Sequence, residues 1–171
     1  GKSDPDLNLP ENGSISLTLD RLCTWAEVTP SAADAWRPEL PRVPDSWSQG
    51  SGTAYGLQVP MLPEKAVSRV LRHVERVRSA CTGIFQEFGI VRSSRSGGVE
   101  LRAANTFPPS SGIASSASSF AAITLAVAKS CAQDPQQFET ALVRKPEMKR
   151  AFARVSRQGS GSSCRSFEGP W

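Results

Sequence analysis

The stretch "NTFPPSSGIASSASSF", residues 105–120, decides how this chain is read. Five serines crowd the positions from Ser110 to Ser118, immediately before the apolar run "AAITLAVA" at 121–128. A core helix has no use for them, because serine is a mediocre helix former that competes for neighbouring backbone groups. An anion has a use for them. The first N–H groups of a helix lack partners and carry roughly half a positive charge, so phosphate is stabilised there. Glycine allows close backbone approach, and serine hydroxyls add donors or ligate a magnesium ion. The spacing is not the common G-x-x-x-x-G-K-[ST] nucleotide loop. A well-capped helix packed closely through small residues explains the same composition, and the loop alone leaves both readings open.

Outward from this loop, the pattern is that of an α+β domain. Val99–Phe107, "VELRAANTF", reads as a strand that feeds the loop, and Ser115–Ser130 as a helix apolar almost all round, hence buried. On the N-terminal side, Ser14–Asp20 alternates apolar and polar residues as a half-buried strand, with Cys23–Pro30 as its antiparallel partner. Residues 31–60 are rich in Pro, Gly and Ser and form an irregular connection, with Trp36 and Trp47 as anchors onto the body. Between Pro63 and Gly89 apolar residues recur at three and four, which predicts a long amphipathic helix, bent at Gly83. His73 falls near the edge of its apolar stripe and reads as a surface or boundary residue. Shorter helices are expected over Pro135–Arg144 and Pro146–Arg157.

The chain ends in a second loop of the same kind, "GSGSSCR" at 159–165. Glycine terminates the preceding helix, the serines start another turn, and Arg165 offers a bidentate fork to phosphate or carboxylate. Two such loops in one small domain imply two anionic partners, or one with two anionic ends. Lys2 and the polar turn after it add a weaker signal at the N-terminus.

Composition bounds these readings. The 171 residues, 39% hydrophobic and 21% charged, suit one globular domain with a real core, taken here as 1–171. No apolar run approaches the ~20 residues of a membrane span, and "GKSDPDLNLP" has no signal-peptide core, so a cytoplasmic protein with no membrane partner is expected. Cys23, Cys81, Cys131 and Cys164 are scattered and a single histidine accompanies them, so no zinc framework is expected, only reduced thiols. The net charge of +4 permits nucleic-acid binding. Yet Lys65, Arg69, Arg72, Arg76 and Arg78 share one helix without interleaved aromatics. They read as a solvated face, and no nucleic-acid partner is expected.

Three segments together resemble a known family. "GKSDPDLNLPENGSISLTLD" is similar to the Y-W-G-K segment and following N-L-P-x-N-x-S-I-S-x-T-L strand of the diphosphomevalonate decarboxylases. "NTFPPSSGIASSAS" is similar to their N-N-F-P-T-A-A-G-L-A-S-S-A, and "RQGSGSSCRSFEG" to their R-x-G-S-G-S-A-C-R-S-x-x-G. The middle segment, P-x-x-x-G-[LI]-x-S-S from Pro108 to Ser116, marks the wider superfamily of galactokinase, homoserine kinase, mevalonate kinase and phosphomevalonate kinase (GHMP). The outer two mark the decarboxylase branch.

The resemblance implies the GHMP kinase N-terminal fold, an antiparallel sheet with helices packed mainly on one face. It also implies ATP and Mg2+. Ser110, Ser111, Gly112, Ile113, Ala114, Ser115 and Ser116 would cradle the ATP phosphates, with Ser115 on the metal. Lys2, Ser160, Gly161, Ser162, Ser163, Cys164 and Arg165 would hold diphosphomevalonate, and Arg165 and Ser116 would serve catalysis. Lys65 falls where the family often carries an arginine and lacks its bidentate fork. The implied reaction phosphorylates the tertiary hydroxyl of (R)-5-diphosphomevalonate, then expels phosphate and carbon dioxide to give isopentenyl diphosphate in isoprenoid biosynthesis. The full-length enzyme is expected to be a homodimer. Since the family's catalytic aspartate falls beyond Trp171 and the chain starts inside Y-W-G-K, residues 1–171 alone are expected to be inactive. The alternatives are a relative acting on 5-phosphomevalonate, a mevalonate 3-kinase, or a non-catalytic binding protein of the same fold.

Overall fold

A computed structural model of the chain describes residues 2–4, 6–10, 22–43, 56–108 and 115–167. The expected strand Ser14–Asp20, Trp47 and most of the first serine loop lie outside them. The described chain opens with a short antiparallel pair, β1 (Lys2–Asp4) and β2 (Leu9–Pro10). Asp4 Oδ1 accepts from the backbone N–H groups of Asp6 and Leu7, both at 2.9 Å, and so braces the turn between them.

The main sheet has three strands, β3 (Thr24–Ser31), β4 (Ala35–Trp36) and β5 (Gly98–Asn105), in the order β3-β5-β4. β3 and β5 are antiparallel from Thr24↔Asn105 to Ser31↔Gly98, while β4 runs parallel to β5 through Ala35↔Glu100 and Trp36↔Leu101. The expected all-antiparallel sheet is therefore corrected to a mixed one. The reason lies in the turn at 32–34. It reverses the chain at once, so β4 runs opposite to β3, and the later β5 slots between them. A strand antiparallel to one must then be parallel to the other. The turn crosses the start of β5 at Gly98, where a Cβ would lie 2.1 Å from the Ala33 carbonyl carbon. Asp34 secures the crossing by accepting from the Val99 N–H at 2.9 Å and from Arg78.

Alternation along the strands sets the layers. Ala26, Val28, Val99, Leu101 and Trp36 join the hydrophobic core. On the opposite face Glu27, Glu100 and Arg102 pair with Arg42, Arg37 and Glu39 at 2.5, 2.5 and 3.1 Å. Helices therefore cover one face, and Trp36 anchors its segment as expected.

Four helices and one 3-10 turn complete the described chain: α1 (Glu64–Phe88), α2 (Ser115–Cys131), α3 (Pro135–Arg144), α4 (Pro146–Gly159) and the 3-10 turn Ser163–Phe167. α1 buries Val70, Val74, Val77, Cys81 and Phe85 at the predicted spacing. It runs through Gly83 as one helix and ends at Gly89, whose φ of 71° and N–H bond to the Phe85 carbonyl form a left-handed cap. Pro135 follows the Asp134 N-cap, which accepts from the N–H groups of Gln136 and Gln137. Phe85, Phe138 and Phe152 stack α1, α3 and α4 together with ring centroids 5.7 to 6.4 Å apart.

His73 departs from its expected boundary position and is wholly buried. Thr124 Oγ1 donates to the Phe120 carbonyl at 2.6 Å, so its one proton is committed. His73 Nε2, 2.8 Å away, must then donate to it, and the buried Nδ1 is left as a neutral acceptor without a partner among the described residues. Burial first, and then the charges of Arg76 and Arg69, lower the imidazole pKa to about 4. A T-shaped contact with Phe120, centroids 4.9 Å apart, completes its packing.

Candidate functional site

α4 ends where the second glycine-serine loop begins, and its last carbonyls need partners. Asn8 Nδ2 donates to the carbonyls of Arg157 and Gln158 at 3.0 and 3.2 Å. Arg76 donates to Gln158 at 3.3 Å, and Arg69 Nε to Gly159 at 3.1 Å. Cations thus meet the negative end of the helix dipole. The expectation of a wholly solvated basic face on α1 is corrected accordingly: Arg69, Arg76 and Arg78 reach from α1 to acceptors on other segments. Arg69 also lies 4.9 Å over the Phe120 ring. That ring leaves no room at Gly159, where a Cβ would fall 2.2 Å from Phe120 Cδ1.

Beyond Gly159 the chain coils back on itself. Ser163 is buried, its Oγ donating to the Ser160 carbonyl at 2.7 Å and lying 2.9 Å from Ser156 Oγ. Its hydroxyl therefore holds the turn. Gly161 is exposed, while Ser162, Cys164 and Arg165 are half-buried. The Arg165 N–H donates to the Ser162 carbonyl at 3.1 Å, within the 3-10 turn.

The structure brings distant parts of the sequence to this loop. Ser116 Oγ, exposed in the first turn of α2, lies 3.4 Å from Ser160 Oγ. Lys2 Nζ donates to Asn8 Oδ1 at 2.5 Å, so the same amide that holds the end of α4 also holds the N-terminal lysine. Asn8 adopts the left-handed conformation, φ 53°, that asparagine tolerates better than most residues. A Cβ on Gly161 would lie 3.8 Å from the Asn8 carbonyl oxygen, so the hairpin and the loop are neighbours. Lys65, exposed in the first turn of α1, precedes Arg69 by one turn. Ser110, Ser111, Gly112, Ile113 and Ala114 lie outside the described residues, and Ser115 is half-buried at the start of α2.

The start of α2 is also held from the sheet. Thr24 Oγ1 donates to Asn105 Oδ1 at 2.7 Å and lies 2.8 Å from Ser118 Oγ. The Asn105 backbone exchanges two 2.8 Å bonds with Gln58. Asn8, Thr24 and Asn105 were not singled out from the sequence, where only an asparagine inside the quoted "LNLP" segment hinted at the first, and Arg69 was read only as part of a solvated face. No acidic residue occupies the first turn of α2, so nothing there competes with an incoming anion. Hydroxyls, amides and cations make up the cluster, which equips it to bind and orient anionic oxygen. No described helix is long and apolar enough to cross a membrane.

The chain shares 28% identity over 169 residues with a diphosphomevalonate decarboxylase of Debaryomyces hansenii, which covers 99% of this chain and 37% of that protein. The diphosphomevalonate decarboxylases of Saccharomyces cerevisiae and Eremothecium gossypii match over the same 99%, at 28% and 31% identity, with 36% of each covered. The chain therefore spans little more than a third of the length of these curated relatives. The family model described as the diphosphomevalonate decarboxylase-like N-terminal domain matches all of residues 1–171, and with that match the serine loop, the glycine-serine loop and the lysine hairpin find their common setting: the chain belongs to the diphosphomevalonate decarboxylase-like N-terminal domain family.

Proposed function

We propose that this chain is the ATP- and substrate-binding domain of a diphosphomevalonate decarboxylase, an enzyme that phosphorylates the tertiary hydroxyl of diphosphomevalonate at the expense of ATP and then releases phosphate and carbon dioxide. The observation that carries this reading is the approach of Ser116 to Ser160 at 3.4 Å. It joins a helix start suited to a nucleotide phosphate and a loop suited to a second anion in one site. Lys2, held on Asn8, adds a cation to the second half.

Phosphoryl transfer needs mainly positioning and charge stabilisation, and these groups supply both. Ser115 and Ser116 would receive the triphosphate. Ser160, Ser162, Lys2 and Arg165 would hold the mevalonate diphosphate and carboxylate, with Arg165 offering its fork. Gly161 and Cys164 would line the same loop, and Lys65 would reach it from α1. Among the described residues no group of three His, Cys, Asp or Glu gathers to hold a metal. The Ser115 hydroxyl would hold a magnesium ion, being an oxygen donor of the kind that ion prefers. Bound there, it would neutralise charge on the transferring phosphoryl group.

The test is ADP release by the intact protein with ATP, magnesium and either diphosphomevalonate or 5-phosphomevalonate, followed with isopentenyl diphosphate formation. Diphosphomevalonate-dependent release of ADP and isopentenyl diphosphate in equal amounts is expected. Turnover of 5-phosphomevalonate alone, or ADP release without decarboxylation, would overturn the substrate or the reaction.

A further inference from the structure

α2 is about 24 Å long at 1.5 Å per residue, and its far end carries a second chemical feature. Cys131 closes that end and packs against the hydrophobic core to which Cys81, on the buried face of α1, belongs. Arg92 ties the two neighbourhoods together: its side chain donates to Thr82, next to Cys81, and its backbone bridges to Ala132, next to Cys131. The two thiols differ in access. Cys81 is wholly buried, while Cys131 is half-buried and borders a cavity of about 700 Å³ between β3, the 92–99 turn and the end of α2.

Cations gather around that cavity. Arg78, Arg92, Arg95 and Lys129 line it. Arg78 is paired with Asp34 and Lys129 with Glu139, while Arg92 donates to Thr82 beside Cys81. Hydrogen bonding by Cys81, and then the charges of Arg92 and Arg78, bring the Cys131 thiol down to about 7. Cys81, the donor in that bond and buried, moves up. Cys23 is pushed up by burial.

We propose that Cys131 and Cys81 form a peroxide-reactive dithiol, with Cys131 the site of oxidation at the cavity wall and Cys81 the resolving thiol behind it. The Cys131 thiolate attacks one oxygen of hydrogen peroxide. The O–O bond breaks, Cys131 becomes a sulfenic acid, and the departing hydroxide takes a proton to become water. The Cys81 sulfur then attacks the Cys131 sulfur. An S–S bond forms, the S–O bond breaks, and the hydroxyl leaves with the Cys81 proton as a second water. The two thiols give up the two electrons that reduce the peroxide. The product ties the middle of α1 to the end of α2, and a thiol reductant restores the pair.

The experiment treats the intact, folded protein with hydrogen peroxide and maps its peptides by mass under non-reducing conditions. A linked Cys81–Cys131 peptide is expected, reversed by dithiothreitol. Under native alkylation Cys131, at the cavity wall, should react several-fold faster than Cys23, whose thiol burial pushes up. Cys81→Ser should leave a sulfenic acid on Cys131 that dimedone captures, and Cys131→Ser should abolish the link. Formation of the link only in denaturant, or alkylation of Cys131 no faster than Cys23, would overturn the proposal. Both decisive measurements use the unmutated protein, so they hold even where a variant fails to fold.

Discussion

Arg165 and Ser116 pose different questions although one loop separates them. Arg165 is half-buried in a 3-10 turn that Ser160 and Ser163 brace from within. Lysine keeps its charge but not its two parallel donors. On the proposed function, Arg165→Lys in the intact protein should lower kcat/KM for diphosphomevalonate on the order of a hundredfold, since misplacing a reactant costs about that much. The melting temperature should stay near that of the parent. Retained kcat/KM would remove Arg165 from the site, and a parallel loss of activity and melting temperature would make it structural. Ser116 is exposed and faces Ser160. Removing a hydroxyl that bonds a charged phosphate costs about 1.5–3 kcal/mol, so under the proposed function Ser116→Ala should lower kcat or raise the KM for ATP roughly ten- to a hundredfold. Steady-state kinetics at varied ATP would show this, and unchanged ATP parameters would leave the serine with no role beyond the helix start.

At the scale of elements, the site depends on how α1, α2 and α4 meet. Gly159 and Phe120 touch so closely that a methyl group cannot enter without moving the ring. Gly159→Ala should therefore destabilise the domain by about 1–3 kcal/mol, the usual cost of overpacking. Chemical denaturation would measure it, and an unchanged midpoint would show that the ring can yield. Arg69 holds the Gly159 carbonyl and covers the same ring. Neither its spacing nor its charge distinguishes it from Arg72, its neighbour on α1. That role was invisible in the sequence because it depends on where α4 ends relative to α1, a long-range fact no local pattern encodes. The helices themselves were legible, from periodicity, Pro at their starts and Gly89 at the end of α1.

For the whole molecule, the buried His73 couples folding to pH. It stays neutral in the folded chain down to about pH 4, whereas an unperturbed imidazole takes up a proton near 6.5. Between those values the unfolded state binds more protons, so stability falls as the pH falls through this window and is complete above it. The loss amounts to on the order of 3 kcal/mol. Thermal melts from pH 7 to pH 4 should fall more steeply for the parent than for His73→Gln. Equal slopes would mean that the imidazole is protonated at no extra cost. From sequence, His73 sat at the edge of a stripe. Its burial arises because α2 brings Phe120 and Thr124 over it.

By itself the sequence determined the α+β class, the helix limits to within a residue or two, the two runs of glycine and serine and the family resemblance. Each of these rests on residues near one another in the chain: a period, a cap, a run of glycine and serine. Tertiary structure decided the rest. It made the sheet mixed, because the 32–34 turn crosses over Gly98 and β5 enters between β3 and β4. It also set Lys2 on Asn8, Asn8 on the end of α4 and Ser116 beside Ser160, and packed Cys131 against the core that holds Cys81. Such meetings are fixed by how helices and strands bury their apolar faces against one another, and that packing is a property of the assembled chain rather than of any one stretch.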